Sequence, residues 1–118
     1  MPHLTLEHNL DLDARSLLLE LNRTLIASGH FSADDIKSRA YRADVVCIGE
    51  DADIDFVHVT LFLLSGRSTD ERRALTAMLL DTLTQRLANR AGRALQMTVD
   101  AREMERALYA KAVTGPLA

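Results

Sequence analysis

Four residues in this chain combine type and position in a way that suggests proton-transfer chemistry: Pro2, Lys37, Arg39 and Arg67. If Met1 is trimmed, as is common before a small residue, the ring nitrogen of Pro2 becomes a free secondary amine and therefore a base. Burial against apolar groups or placement beside fixed cations lowers an amine's pKa toward working pH, where a general base is most effective. A proton-transfer reaction on a small acid also needs cations to stabilise the negative charge that develops, and arginine suits this because it stays charged and grips a carboxylate through two parallel hydrogen bonds. Arg67 lies in SGRS, ahead of a helix start, so its guanidinium and the nearby backbone N–H groups could converge on an anion. Lys37 and Arg39 alternate along IKSRAYR and so point to one side of a strand.

Each of these residues also has a purely structural reading. Proline is tolerated at the first residue of a strand. Arg67 can pair with Glu71 or Asp70, and Lys37 and Arg39 can be solvent-facing strand cations. Other chemically capable residues have weaker claims. His58 sits in the apolar stretch FVHVTL and is expected to be a hydrogen-bonded core residue. His3, His8 and His30 have no metal-ligand spacing, and Cys47 has no activating partner and is expected to be a buried, inert thiol. Asp51, Asp53 and Asp55 alternate at a turn but lack the glycine and distal glutamate of a calcium loop, so solvated carboxylates are expected.

The elements that would position these residues follow from hydrophobic period. Residues 3–8 alternate as a half-buried strand, and Leu17, Leu18, Leu21, Leu25 and Ile26 form a helical stripe over 13–28, with Asp11 or Asp13 at its start and Gly29 at its stop. Ser32 with Asp35 is expected to cap a short turn, residues 36–48 to form a longer strand, and 49–53 a turn. FVHVTLFLL (56–64) has the profile of a central strand covered on both faces. Within 65–92, Ser68 and Glu71 form a capping box, and Leu75, Met78, Leu79, Leu83 and Leu87 keep one helical face apolar down to Gly92. Residues 94–100 read as a final strand, Met97 and Met104 as packing residues, and the tail REMERALYAKA as a segment of helical propensity.

In order, these elements make two βαβ halves, about 2–48 and 54–100, plus a tail, within one domain spanning 1–118. The expected fold class is α+β: a two-layer subunit with a mixed sheet and two helices on one face, because right-handed crossovers place both helices on the same side. The other face would be bare, and a closed homo-oligomer is the simplest way to cover it. The alternative is that residues 36–48 or the tail fold over it.

Three stretches in order, PHLTLEHN, ASGHFSADDIKSRAYR at 27–42 and DFVHVTLFLLSGRSTDERR at 55–73, resemble the 5-carboxymethyl-2-hydroxymuconate delta-isomerase family of the tautomerase superfamily. The resemblance covers most of residues 2–92 and fades in the tail. It implies a homotrimer, no metal or organic cofactor, and isomerisation of small 2-hydroxymuconate-type polycarboxylates by an amino-terminal proline. Carried over by position, it makes Pro2 and Arg67 catalytic, and Lys37 and Arg39 substrate-binding. The family pattern has arginine at both of the latter positions. Lys37 departs from it, keeping the charge but losing the bidentate fork, which leaves open hydration or dehalogenation of a small unsaturated acid, or a non-catalytic trimeric scaffold.

Composition bounds the partners. The chain has 118 residues, 47% hydrophobic and 26% charged, with a formal net charge of −3, which argues against affinity built on neutralising many phosphates. Nucleic acid is not an expected partner, and no apolar run is long enough to cross a bilayer. A single cysteine and the lack of a charged-then-apolar leader ahead of the first strand point to a reducing cytoplasmic setting.

Overall fold

The structure is a computed structural model that describes residues 1–90 and 92–116. Strand β1 (His3–His8) leads through helix α1 (Ala14–Ala27) and a 3₁₀ turn (Ala33–Asp35) to β2 (Lys37–Arg42). Strand β3 (Asp55–Leu64) leads through α2 (Thr69–Leu87) to β4 (Leu95–Met104), followed by a second 3₁₀ turn (Arg106–Leu108). The sheet order is β2-β1-β3-β4; β1–β2 and β3–β4 are parallel, and the central pair β1–β3 is antiparallel. These are the two βαβ units read from the sequence, joined through their first strands.

Local chemistry sets the helix ends. The Asp13 carboxylate accepts from the Ser16 N–H at 3.3 Å, and Ser68 Oγ accepts from the Glu71 N–H at 3.1 Å, so each helix start has an orphan donor satisfied. After α1 the chain turns at Gly29 with φ of +82°, a left-handed conformation that side chains resist. One face of each helix packs on the sheet: Leu17, Leu21 and Leu25 from α1, and Leu75, Leu79 and Leu83 from α2, all spaced by four. They meet Leu4, Leu6, Val57, Val59, Leu61 and Leu63, which alternate along β1 and β3, and all of these are buried.

Several expectations are corrected. The strand expected over 36–48 ends at Arg42, because residues 43–48 leave the sheet and close on themselves through an Ile48–Asp51 bridge. Strand β4 continues to Met104 along the full length of β3, so the first part of the supposedly helical tail is sheet. α2 ends at Leu87, well before Gly92. The first 3₁₀ turn has no side-chain cap; Asp35 N–H bonds the Ser32 carbonyl instead. Cys47 is exposed, because it lies in the 43–48 loop and not in a strand.

The face opposite the helices carries Phe56, His58, Thr60, Phe62 and Leu64 from β3 and His3, Thr5 and Glu7 from β1. It is half-covered. The 43–48 loop and the tail reach its two ends, the first over Phe56 and Thr98, the second through Tyr109 against His3. His58 belongs to this face and bonds Thr98 Oγ1 through Nδ1 at 2.6 Å, so it is not part of the core beneath the helices. No helix is long and apolar enough to cross a membrane among the described residues.

Candidate active site

The antiparallel register of β1 on β3 puts His3 opposite Phe62, which brings the chain's first two residues to the C-terminal end of β3. The parallel partner β2 starts at the same pole, where Lys37 N–H donates to the Pro2 carbonyl at 3.1 Å. The β3–α2 loop adds Arg67, and the segment after β4 adds Arg106. Together they enclose a cavity of about 190 Å³ lined by Met1, Phe31, Leu63, Leu64, Arg67 and Arg106, with Asp35 at its edge. Pro2 is buried behind Met1.

The electrostatics at this pole favour a neutral amine. The Met1 amine and Lys37 Nζ both donate to the Asp35 carbonyl, the latter at 2.8 Å. Burial, then the hydrogen-bonding and charge of Lys37, lower the pKa of the Met1 amine from 8.0 to about 6, against the opposing pull of the Asp35 carboxylate. That carboxylate is held at 2.9 Å by Lys111, and this hydrogen bond pushes the Asp35 pKa down. Burial, then the charges of Arg39 and Lys37, push the pKa of His3, beside the site, below its ordinary value. Because arginine can only donate, Arg39 Nη1 at 3.1 Å makes His3 Nδ1 the acceptor, and Nε2–H then donates to Tyr109 Oη at 3.1 Å.

Arg67 is anchored on two sides. Its Nη1 donates to Glu71 Oε2 at 3.1 Å, and its guanidinium lies 4.7 Å from the centre of the Phe31 ring. The Glu71 side chain is therefore spent on Arg67 and, at 3.5 Å, on His30 Nδ1, and leaves the capping box half-made. Arg67 thus pairs with Glu71, as its structural reading expects, and also lines the cavity.

Of the residues expected from sequence, the structure gathers Pro2, Lys37 and Arg67 at one pole. Arg39 shares Lys37's side of β2 but lies farther along, exposed, on the half-covered face against His3. Sequence reasoning missed Phe31, Asp35, Arg106, Tyr109 and Lys111. Phe31 and Asp35 lie within a quoted motif without a mechanism attached, and the last three lie in the tail, where no periodicity or spacing marked them.

At the opposite pole the expectation of solvated carboxylates fails for Asp55. It is only 4% exposed and is held by Arg90 Nη2 at 2.7 Å, by Arg93, and by Asn9 Nδ2 at 3.2 Å. The hydrogen bond from Arg93 lowers its pKa most, ahead of that from Arg90. Asp51 and Asp53 do stay exposed. A larger depression of about 440 Å³ between the 43–48 loop and Phe56, Gln96 and Thr98 is lined by apolar and neutral polar side chains and by Cys47, and offers no Lys or Arg to hold an acid. Among the described residues, no group of three or more His, Cys, Asp or Glu side chains is placed to hold a metal ion.

Two βαβ units back to back on one mixed sheet, with an amino terminus and cations at a shared pole, define the tautomerase class of fold. The profile of the 5-carboxymethyl-2-hydroxymuconate isomerases matches residues 2–114, and the chain belongs to this family of isomerases. A 5-carboxymethyl-2-hydroxymuconate isomerase from Deinococcus radiodurans R1 superposes with a TM-score of 0.83 at 30% identity, over 96% of this chain and 90% of that one. A 5-carboxymethyl-2-hydroxymuconate delta-isomerase superposes at 0.70 with 21% identity, over 98% and 89%. A fused 4-OT in a symmetric trimer does so at 0.72 with 17% identity, over 98% and 94%. No curated protein matches the chain.

Proposed function

We propose that the chain is a cofactor-independent tautomerase that moves a proton by a 1,3- or 1,5-shift within a small unsaturated 2-hydroxymuconate-type polycarboxylate. The observation that carries this reading is the amino terminus itself: an amine depressed to about 6 in a cavity that also holds Arg67. In the full chain the Pro2 nitrogen is an amide and cannot accept a proton. Loss of Met1 makes it a secondary amine at the same pole as Lys37 and Arg67. Pro2 then removes the proton from the substrate's enol oxygen or carbon and returns it at another carbon. Arg67 holds a carboxylate and stabilises the negative charge that spreads over the dienolate, and Lys37 pairs with a second acidic group.

A homotrimer fits this reading, since association on the half-covered sheet face would bring Arg39 to a subunit boundary, where it can serve a substrate as it cannot within one subunit. A cytoplasmic enzyme with a small anion as its only partner besides itself, and neither nucleic acid nor membrane, fits the charge and composition. The test is ketonisation of a simple enol such as phenylenolpyruvate by protein whose intact mass lacks Met1. Pro2→Ala should lower kcat by about 10²-fold or more, and protein retaining Met1 should be inactive. Full activity with a capped Pro2 would refute the base assignment, and a panel including halo-acrylates separates isomerisation from hydration or dehalogenation.

A further inference from the structure

We propose that Arg106, in the segment after β4, is the specificity-determining cation of the pocket and selects substrates with a second carboxylate remote from the reacting one. This rests on the tautomerase reading above and extends it to a residue that no motif marks. The tail is pinned where it passes the end of β3: Arg106 N–H donates to Ser65 Oγ at 3.1 Å, and its Nε donates to the Ser65 carbonyl at 3.2 Å. The guanidinium stem is thereby fixed. Its two Nη groups make no hydrogen bond or ion pair among the described residues, yet the residue lines the cavity together with Arg67.

The two arginines differ in the charge they have left to offer. Arg67 is already paired with Glu71, whereas Arg106 has no carboxylate within 4 Å among the described residues. They are anchored independently, one from the β3–α2 loop and one from the tail, and share the cavity lining with the apolar Leu63 and Leu64. An acyclic acid lying along this apolar stretch can place one carboxylate on Arg67, near the amino terminus, and the other on Arg106. A monoacid leaves Arg106 unused. Guanidinium suits the task because its free edge presents two parallel donors to one carboxylate.

The test measures equilibrium binding, independent of turnover, of two unreactive six-carbon dienoic acids: muconate, with two carboxylates, and sorbate, with one. Wild-type protein should bind muconate more tightly. Arg106→Ala should weaken muconate about 10- to 100-fold, the worth of a charge-assisted hydrogen bond, while changing sorbate by less than about two-fold. Arg106→Lys should recover part of the loss, and Arg73→Ala, at an exposed site paired with Asp70, should change neither. No muconate binding by the wild type, unchanged muconate binding in Arg106→Ala, or equal losses for both acids would overturn the assignment. If binding behaves as expected but the wild type ketonises no enol, the tautomerase reading fails while the dianion site stands. If turnover is present and Arg106→Ala keeps the wild-type preference for muconate over sorbate, the reverse holds.

Discussion

Replacing Lys37 by methionine should raise the pKa of the amino terminus, and the contacts around Met1 fix both the direction and the bounds of that change. In the chain that retains Met1, the amine falls from 8.0 to about 6, with burial the largest cause and the hydrogen bond and charge of Lys37 next. Methionine keeps the apolar stem and removes only the charge and the donor, so burial still acts. The amine should move upward and stop short of 8.0. At pH 7 an amine of pKa near 6 is about 90% neutral and one near 8 about 10%, so the full range is roughly ten-fold in reactive amine. Asp35→Asn should move the pKa the other way, because its carboxylate stabilises the ammonium. The assay is the pH dependence of the Met1 ¹⁵N resonance in methionine-labelled protein, or of acylation by a limiting amine-reactive reagent. Two substitutions a few ångströms apart with opposite signs are a strong constraint. A wild-type amine at or above 8, or both variants shifting in one direction, would refute the electrostatic reasoning. After Met1 is lost, the acid limb of kcat/KM should follow the same signs, because Pro2 then holds the terminal nitrogen.

Further outcomes follow from the same contacts. Because the folded amine binds its proton more weakly than the unfolded one, the unfolded chain holds more protons between about pH 6 and 8. Denaturant unfolding of Met1-retaining protein should show stability rising across that window and level above it. Arg67→Ala should cost about 10²- to 10³-fold in kcat by steady-state kinetics, as for loss of one charge-stabilising donor, with the fold retained by circular dichroism. Asp55→Ala should cost about 2–4 kcal/mol in urea unfolding, at the lower side of the range for broken buried pairs because Arg90 and Arg93 can rehydrate. Its carboxylate pKa is depressed, so that contribution is present above the ordinary carboxylate range and is lost as pH falls through the lowered value. Leu61→Ala, fully buried between the helices and the sheet, should cost about 2–5 kcal/mol in the same measurement.

How far the residues themselves reach can be judged element by element. Asp13, Ser68 and Gly29 mark helix ends by short-range chemistry, and the four-residue spacing of Leu17, Leu21 and Leu25 and of Leu75, Leu79 and Leu83 states which face is buried. The alternation in 3–8 and 56–64 makes strands with little ambiguity, and right-handed crossover then leaves one arrangement of helices. Pro2, Lys37 and Arg67, which meet at one pole, were legible as candidates because each sits at a strand start or a strand–helix loop within a motif. The length of β2 was not legible: 43–48 is as apolar and β-branched as a strand, and only the lack of a neighbour to pair with removes it from the sheet. The extent of β4 was hidden for the converse reason, since REM is sheet only because β3 supplies ten residues of partner edge.

What the sequence determined by itself is the set of elements and their two-fold βαβ order, because each element depends on residues within a few positions of one another. What only the tertiary structure decided is which charges meet. Asp55 looks like its exposed neighbours Asp51 and Asp53 until Arg90 and Arg93 close on it from the far end of α2. Arg106 looks like one more charged residue in a polar tail until Ser65 pins it into the lining it shares with Arg67. Lys37 becomes a tuner of the amino terminus only when Asp35 holds both donors on one carbonyl. Coulomb energy and desolvation depend on distance and burial, and over separations of 30 to 100 residues those are set by the antiparallel seam between β1 and β3 and by the tail crossing that pole.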